Sequence, residues 1–191
     1  MWIQEKLKIL KSIFIELKID NSQMASESNN LSSYNKNFIP NGIPFRVGIV
    51  VSKWNSNVTS GLLKGAKDTL AELGVVSSNI ITIEVPGSFE LVYGAKIISK
   101  NKVDVIICLG SVIKGETKHF DYVCNAVSSG IKDLNIKFDI PVIFGVLTDN
   151  NLEQALNRSG GKLGNKGVES AVTAIIMADL NDNLVQEYAV I

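Results

Sequence analysis

The sequence is poor in the residues that most often carry chemistry. It has one histidine, His119, and two cysteines, Cys108 and Cys124, with no Cys-x-x-Cys pair. A zinc site therefore has no plausible ligand set. No Ser/His/Asp or Cys/His triad can be drawn either, which leaves a covalent hydrolase mechanism little support. Charge of one sign is also missing. Nineteen Lys and Arg balance nineteen Asp and Glu, so there is no basic field to hold nucleic acid or anionic lipid. No apolar run reaches the length of a membrane span. Cys108 in an apolar strand and Cys124 in a helix pattern read as packing residues of a reduced, cytoplasmic compartment. What remains is a chain of 191 residues, 46% hydrophobic and 20% charged. Those figures suit one compact domain with an appendage, acting on a small uncharged or locally phosphorylated ligand.

The first twenty residues place Ile3, Leu7, Leu10, Phe14 and Leu17 at spacings of four and three, an amphipathic helix pattern. Glu5, Glu16 and Asp20 among four lysines argue against an organelle presequence, and the apolar positions are too interrupted for a signal peptide. Residues 21–42 are rich in Ser and Asn and read as a flexible linker. Residues 1–42 are thus expected to be an appended segment, and 43–191 the domain.

From Phe45 the pattern changes. Phe45 to Val51 reads as a buried strand, followed by a helix with Val58, Leu62, Ala66, Leu70 and Leu73 on one face, closed by Gly74. Ile80 to Val85 is a second strand, stopped by Pro86-Gly87. Ser88 is expected to cap a helix carrying Leu91, Val92, Ala95 and Ile98. Val103 to Leu109 is the third strand and Tyr122 to Leu134 the helix after it. Pro141 to Leu147 is the fourth strand. Asn150 with Glu153 makes a capping box for a short helix ending at Arg158, and a last helix starts at about Val168. Four strands alternating with helices predict an α/β fold of three αβα layers, a four-stranded parallel, flavodoxin-like sheet with helices on both faces.

Between the third strand and its helix lies the stretch Leu109 to Val123. Gly110, Gly115 and Thr117 fit G-x-x-x-x-G-K-[ST], except that Glu116 stands where the lysine that neutralises a triphosphate belongs. Backbone N–H groups around Gly115 to Thr117 suit a single phosphate. An ordinary strand–helix turn fits the same stretch.

In parallel sheets ligands sit beyond the carboxyl ends of the strands. The segments there are Trp54-Asn55, Gly87-Ser88-Phe89-Glu90, Ser111 to His119, and Phe144 onward. Trp54 could stack on a flat heterocycle or plug the sheet end. Glu90 could accept hydrogen bonds from ligand hydroxyls, or simply be favoured by the helix dipole. Phe89 and Phe144 offer an apolar wall or core packing. Arg158 could clamp a phosphate or be a solvated helix terminus. His119 is the natural general acid–base, since imidazole titrates near neutral pH.

Six pieces occur in order: Lys53-Trp54-Asn55; Val85 to Glu90; Leu109 to Val123; Pro141 to Thr148; Glu153-Gln154-Ala155 with Arg158; and Gly164-Asn165-Lys166-Gly167. Together they resemble the lumazine synthase family, the 6,7-dimethyl-8-ribityllumazine synthases of riboflavin biosynthesis, over about residues 45 to 180. That family condenses 5-amino-6-(ribitylamino)uracil with 3,4-dihydroxy-2-butanone 4-phosphate, releasing phosphate and water. The resemblance implies that Trp54 stacks on the pyrimidine and that Phe144 closes its side. Ser88, Phe89 and Glu90, with backbone at Ser111, Val112 and Ile113, would hold the ribityl chain and ring edge. Main-chain N–H groups of Glu116 and Thr117, with Arg158, would bind the butanone phosphate. His119 would shuttle protons, and Lys166 and Glu169 would orient Arg158. Neither cofactor nor metal is implied.

Family members are homopentamers with active sites between subunits, which would set Trp54 and Phe144 against His119 and Arg158 across an interface. The compact Gly160 to Gly167 turn resembles that of members forming icosahedral shells, and association with riboflavin synthase is a further implied partnership. Two other readings stand beside this one. One is a catalytically inactive flavodoxin-like binding or shell-forming protein. The other is a phosphate-binding enzyme of a different pathway.

Overall fold

A computed structural model describes residue 30 and residues 32–188; the helix expected over residues 1–20 lies outside the described residues. The main sheet is built from β1 (Val47–Ser52), β2 (Ile80–Val85), β3 (Val105–Ile113) and β4 (Val142–Asp149). All pair in parallel, in the order β2-β1-β3-β4. Parallel neighbours need crossovers, and helices supply them: α1 (Ser56–Glu72), α2 (Leu91–Ile98) and α3 (His119–Lys137). After β4 come the short α4 (Leu152–Asn157), a hairpin of β5 (Ser159–Gly161) and β6 (Gly164–Asn165), and the long α5 (Lys166–Tyr188).

The central β1 is buried along its whole length, so both of its faces need apolar side chains. Val47, Ile49 and Val51 face one layer, packing with Leu62 and Leu70 of α1 and Ala174 and Ile175 of α5. Val50 faces the other, with Leu91, Ala95 and Ile98 of α2 and Val127 and Ile131 of α3. Helices on both faces of a parallel sheet make the three-layer α/β, flavodoxin-like architecture that the alternating pattern predicts. No helix among the described residues is long and apolar enough to cross a membrane.

Local departures from the sequence reading matter more for function. β3 runs on to Ile113, so Gly110 to Ile113, expected in a loop, are strand. They pair with Val146 to Asp149 of β4. Apolar periodicity could not show this, because glycine and serine interrupt it while the ladder continues. The glycine loop shrinks to Lys114–Lys118, and α3 begins three residues earlier than expected, at His119. Ser88 does not cap α2 with its side chain. Glu90 occupies the cap position, and Leu91 N–H donates to the Ser88 carbonyl at 3.2 Å. The capping box of α4 sits one residue later than expected: Asn151 Oδ1 accepts from Gln154 N, while Gln154 Oε1 accepts from Asn150 N, both at 2.9 Å.

The described end of the Ser/Asn-rich stretch lies along the domain. Tyr34 donates to Glu72 Oε2 at 2.8 Å, and Gly42 N donates to the Leu73 carbonyl at 2.8 Å. Ser32 Oγ exchanges hydrogen bonds with the backbone of Asn165, and Tyr34 and Ile39 pack against the α1–α5 core.

Candidate active site

Chain leaving β1 stays clipped to the end of β2. Lys53 N donates to the Val85 carbonyl at 2.8 Å and Trp54 N to the Pro86 carbonyl at 3.0 Å. Two more backbone ties thus fix Trp54 while its indole remains 69% exposed, which is inconsistent with a plug over the sheet. Beneath the ring lies Gly87. A Cβ there would stand 2.9 Å from Trp54 Cε3 and 3.0 Å from Glu90 Oε2. Gly87 N also donates to Glu90 Oε2 at 3.0 Å, folding that carboxylate back over its own turn. The absence of a side chain at Gly87 is what lets an indole and a carboxylate stand side by side.

A second glycine works one layer deeper. A Cβ on Gly110 of β3 would meet Ser88 Oγ at 2.7 Å and Leu91 Cδ1 at 2.9 Å. Ser88 is buried in consequence, and Phe89 is 60% exposed. Ser111, next along β3, is also buried, and its Oγ has no hydrogen-bond partner among the described residues. Its carbonyl accepts from Asn55 Nδ2 at 3.0 Å. Trp54, Ser88, Phe89, Glu90 and Ser111 therefore share the carboxyl ends of β1, β2 and β3, with Val112 and Ile113 finishing β3.

Past Ile113 the chain is exposed from Lys114 through His119. Lys114 N still donates to the Asp149 carbonyl at 2.9 Å. Gly115 stands clear: a Cβ there would meet nothing within 4 Å. Thr117 Oγ1 accepts from His119 N at 3.3 Å. The backbone N–H groups of Glu116 and Thr117 meet no acceptor among the described residues, so donors remain at the N-terminal approach to α3. His119 is the first residue of that helix.

Arg158 closes α4 and is not a solvated terminus. One guanidinium nitrogen donates to the Leu163 carbonyl at 2.7 Å, and the other pairs with Glu169 Oε1 at 2.6 Å. Glu169 Oε2 also pairs with Lys166 Nζ at 3.0 Å. The Arg158 and Glu169 side chains are only 15% and 19% exposed, enough shielding for the pair to hold the guanidinium in one orientation. Asp149, at the end of β4, escaped the sequence reading. Burial pushes its carboxyl above the usual carboxylate range, and the charge of Arg158 works against that shift. Its Oδ2 is buried with no hydrogen-bond partner among the described residues. Nothing in the sequence distinguishes this aspartate from any other after a strand. Asn55 was also missed, although it sits inside a recognised motif.

Phe144 is placed elsewhere. It is the third residue of β4, in register with Cys108, five residues short of Asp149. At 3.3 Å per residue that is roughly 17 Å from the strand end. It is 37% exposed on an edge strand. The Trp54 turn is bonded to β3, the strand that leads to His119, through Asn55 Nδ2 and the Ser111 carbonyl. A groove of about 350 Å³ lies beside α1, lined by residues such as Lys53, Ser56, Thr59 and Glu84, and contains none of the expected site residues. Among the described residues, no three His, Cys, Asp or Glu side chains are placed to hold a metal ion.

The arrangement offers an exposed aromatic face beside a carboxylate, free backbone donors, an oriented guanidinium and an imidazole. Comparison with known proteins gives it a context. The profile of the 6,7-dimethyl-8-ribityllumazine synthases matches residues 44–182. A 6,7-dimethyl-8-ribityllumazine synthase of Christiangramia forsetii is 59% identical over 159 residues, 82% of this chain and 95% of the relative. One from Flavobacterium johnsoniae is 58% identical over 156 residues, 81% and 82% of the two chains. One from Phocaeicola vulgatus is 51% identical over 162 residues, 84% and 96%. With that profile spanning most of its length and such relatives aligned over about four fifths of the chain or more, this chain belongs to the 6,7-dimethyl-8-ribityllumazine synthase family, enzymes of riboflavin biosynthesis.

Proposed function

We propose that the chain condenses 5-amino-6-(ribitylamino)uracil with 3,4-dihydroxy-2-butanone 4-phosphate at the carboxyl ends of β1–β3. The observation that carries this reading is the convergence of Trp54, Glu90 and the β3 end over two glycine floors, with open backbone donors beyond. Trp54 stacks on the pyrimidine. Glu90, Ser88 and Phe89, with the backbone of Ser111, Val112 and Ile113, hold the ribityl chain and ring edge. The N–H groups of Glu116 and Thr117 receive the phosphate, and Arg158, oriented by Glu169 and Lys166, neutralises it.

The chemistry asks little more of the protein. The substrate's own 5-amino group is the nucleophile, so no protein nucleophile is required. Imine formation, elimination of phosphate and ring closure need two substrates held together and proton transfer alongside. His119, at the mouth of the phosphate loop, moves those protons. The leaving phosphate departs into donors already in place, which lowers the cost of its developing charge.

The exposed aromatic face and the displaced Phe144 both favour a site completed by a second copy of the chain. We place Phe144 on the neighbour's side of that site, in a homo-oligomer taken to be a pentamer, with pentamers assembling into an icosahedral shell around the compact Gly160–Gly167 turn. Riboflavin synthase is the natural partner, as consumer of the product, in the cytoplasm. The catalytic domain is residues 43–191 and residues 1–42 are appended to it, with Ser32, Tyr34 and Gly42 of that appendage hydrogen-bonded to the domain.

The test is lumazine formation followed by absorbance, with wild type beside His119→Ala and Arg158→Ala. Acceleration above the spontaneous reaction, reduced in both variants, supports the reading. A soluble, assembled wild type that gives no acceleration overturns it in favour of a binding or shell protein.

A further inference from the structure

Asn55 has an unusual conformation for its position. Its φ of 58° and ψ of 44° put it in the left-handed region, which only one other non-glycine among the described residues, Lys102, occupies. Asparagine tolerates that region better than most residues because its short polar side chain can bond nearby. It stands at the N-cap of α1, yet makes no side-chain cap hydrogen bond. An N-cap asparagine ordinarily has extended backbone and accepts from the helix's first free N–H groups. Here that function is forgone, and Nδ2 donates instead to the Ser111 carbonyl, 56 positions away, at 3.0 Å. The carbonyl acceptor fixes which way the amide points.

The place where this bond forms gives it a purpose. Pairing between β1 and β3 ends at Val51 and Leu109, while β3 continues along β4 to Ile113. On its β1 side, the last part of β3 has lost its backbone neighbour. The Asn55 carboxamide supplies a donor where the ladder stops. The turn's backbone ties, from Lys53 and Trp54, run the other way, to Val85 and Pro86. Asn55 thus joins the Trp54 turn to β3, whereas the turn's backbone joins it only to the β2 side.

We propose that Asn55 is a positioning residue for the pyrimidine subsite. Its carboxamide locks the Trp54 turn to the end of β3, so that the stacking ring and the β3 backbone edge meet one ligand as a rigid pair. This rests on the function proposed above. None of the Asn55 hydrogen bonds goes to the phosphate loop or to Arg158, so its influence is expected on one substrate alone.

The test uses a Trp2→Phe background, in which Trp54 is the one remaining tryptophan. Asn55→Gly keeps the left-handed backbone and deletes the side chain. Asn55→Asp keeps the shape and replaces the donor with an acceptor. Fluorescence anisotropy decay of Trp54 without substrate is expected to show faster local motion in both. The KM for the ribitylaminouracil is expected to rise about five- to tenfold, the scale of one net hydrogen bond, with the KM for the butanone phosphate unchanged. Unchanged Trp54 motion overturns the proposal, as does an equal rise in both KM values, which general loosening of the fold would give. Absence of turnover in the Trp2→Phe parent and in wild type would instead mark failure of the underlying functional reading.

Discussion

The Trp54–Ser111 side of the site is held by backbone and close packing, whereas the Gly115–Arg158 side is held by charge. On the first side, Gly87 and Gly110 leave no room for a Cβ, and the neighbouring turn is bonded to both β2 and β3. On the second, the loop from Lys114 to Lys118 stands in solvent, Gly115 has open space around it, and the guanidinium of Arg158 is held by a carboxylate and a backbone carbonyl. The difference suits the two ligands. A flat heterocycle with a polyol tail is recognised by shape, and small displacements of a stacking ring are costly. A phosphate is recognised by charge and N–H donors, which tolerate looser geometry. The pyrimidine side should therefore fail sterically and the phosphate side electrostatically.

The largest effect is expected at Gly87. An added methyl must displace the indole, the Glu90 carboxylate or both, so Gly87→Ala is expected to lower kcat/KM for the ribitylaminouracil on the order of 100-fold. Steady-state kinetics with that substrate varied check it, with an unchanged Tm showing that the fold survives. Next comes Arg158→Ala. Loss of a charge-assisted clamp is expected to raise the KM for the butanone phosphate about tenfold. Glu169→Gln, which keeps the arginine and removes its anchor, is expected to give a smaller rise in the same constant.

A third prediction concerns the layer beneath both sides. Burial pushes the Cys108 thiol of β3 from the usual 9.0 up to about 12. An unfolded thiol ionises first, so between those two values the unfolded chain loses a proton that the folded chain keeps. Stability is then complete below pH 9 and falls as pH rises towards 12, by up to about 1.4 kcal/mol per pH unit. Urea midpoints across that range should show this slope in wild type and a shallower one in Cys108→Ala. The smallest effect is expected at Gly115, where a methyl meets nothing: Gly115→Ala should stay within about twofold of wild type in either KM.

What the sequence made legible follows the same division. The strands show because β1 and β3 are buried on both faces and so read as continuous apolar runs, and helix faces show by their period. The family motifs bring most of the candidate site residues into view at once. Three things were hidden. The continuation of β3 through Gly110 and Ser111 was masked because a strand bonded by its backbone need not look apolar. Phe144 was read inside the fourth strand, but its distance from the strand's end was not, because β4 runs on to Asp149 only through its pairing with β3. The Asn55–Ser111 bond was invisible because its partner lies 56 positions away, and the burial of Asp149 because packing, not local sequence, sets it. Long-range register, rather than residue type, is what the structure adds.

The division itself is tested most directly by varying each substrate in turn during lumazine formation, for wild type, Gly87→Ala and Arg158→Ala. The account predicts a crossed result: Gly87→Ala raises the KM for the ribitylaminouracil alone, and Arg158→Ala raises the KM for the butanone phosphate alone. If either variant raises both constants by the same factor, the two sides are not separate subsites and the account is wrong.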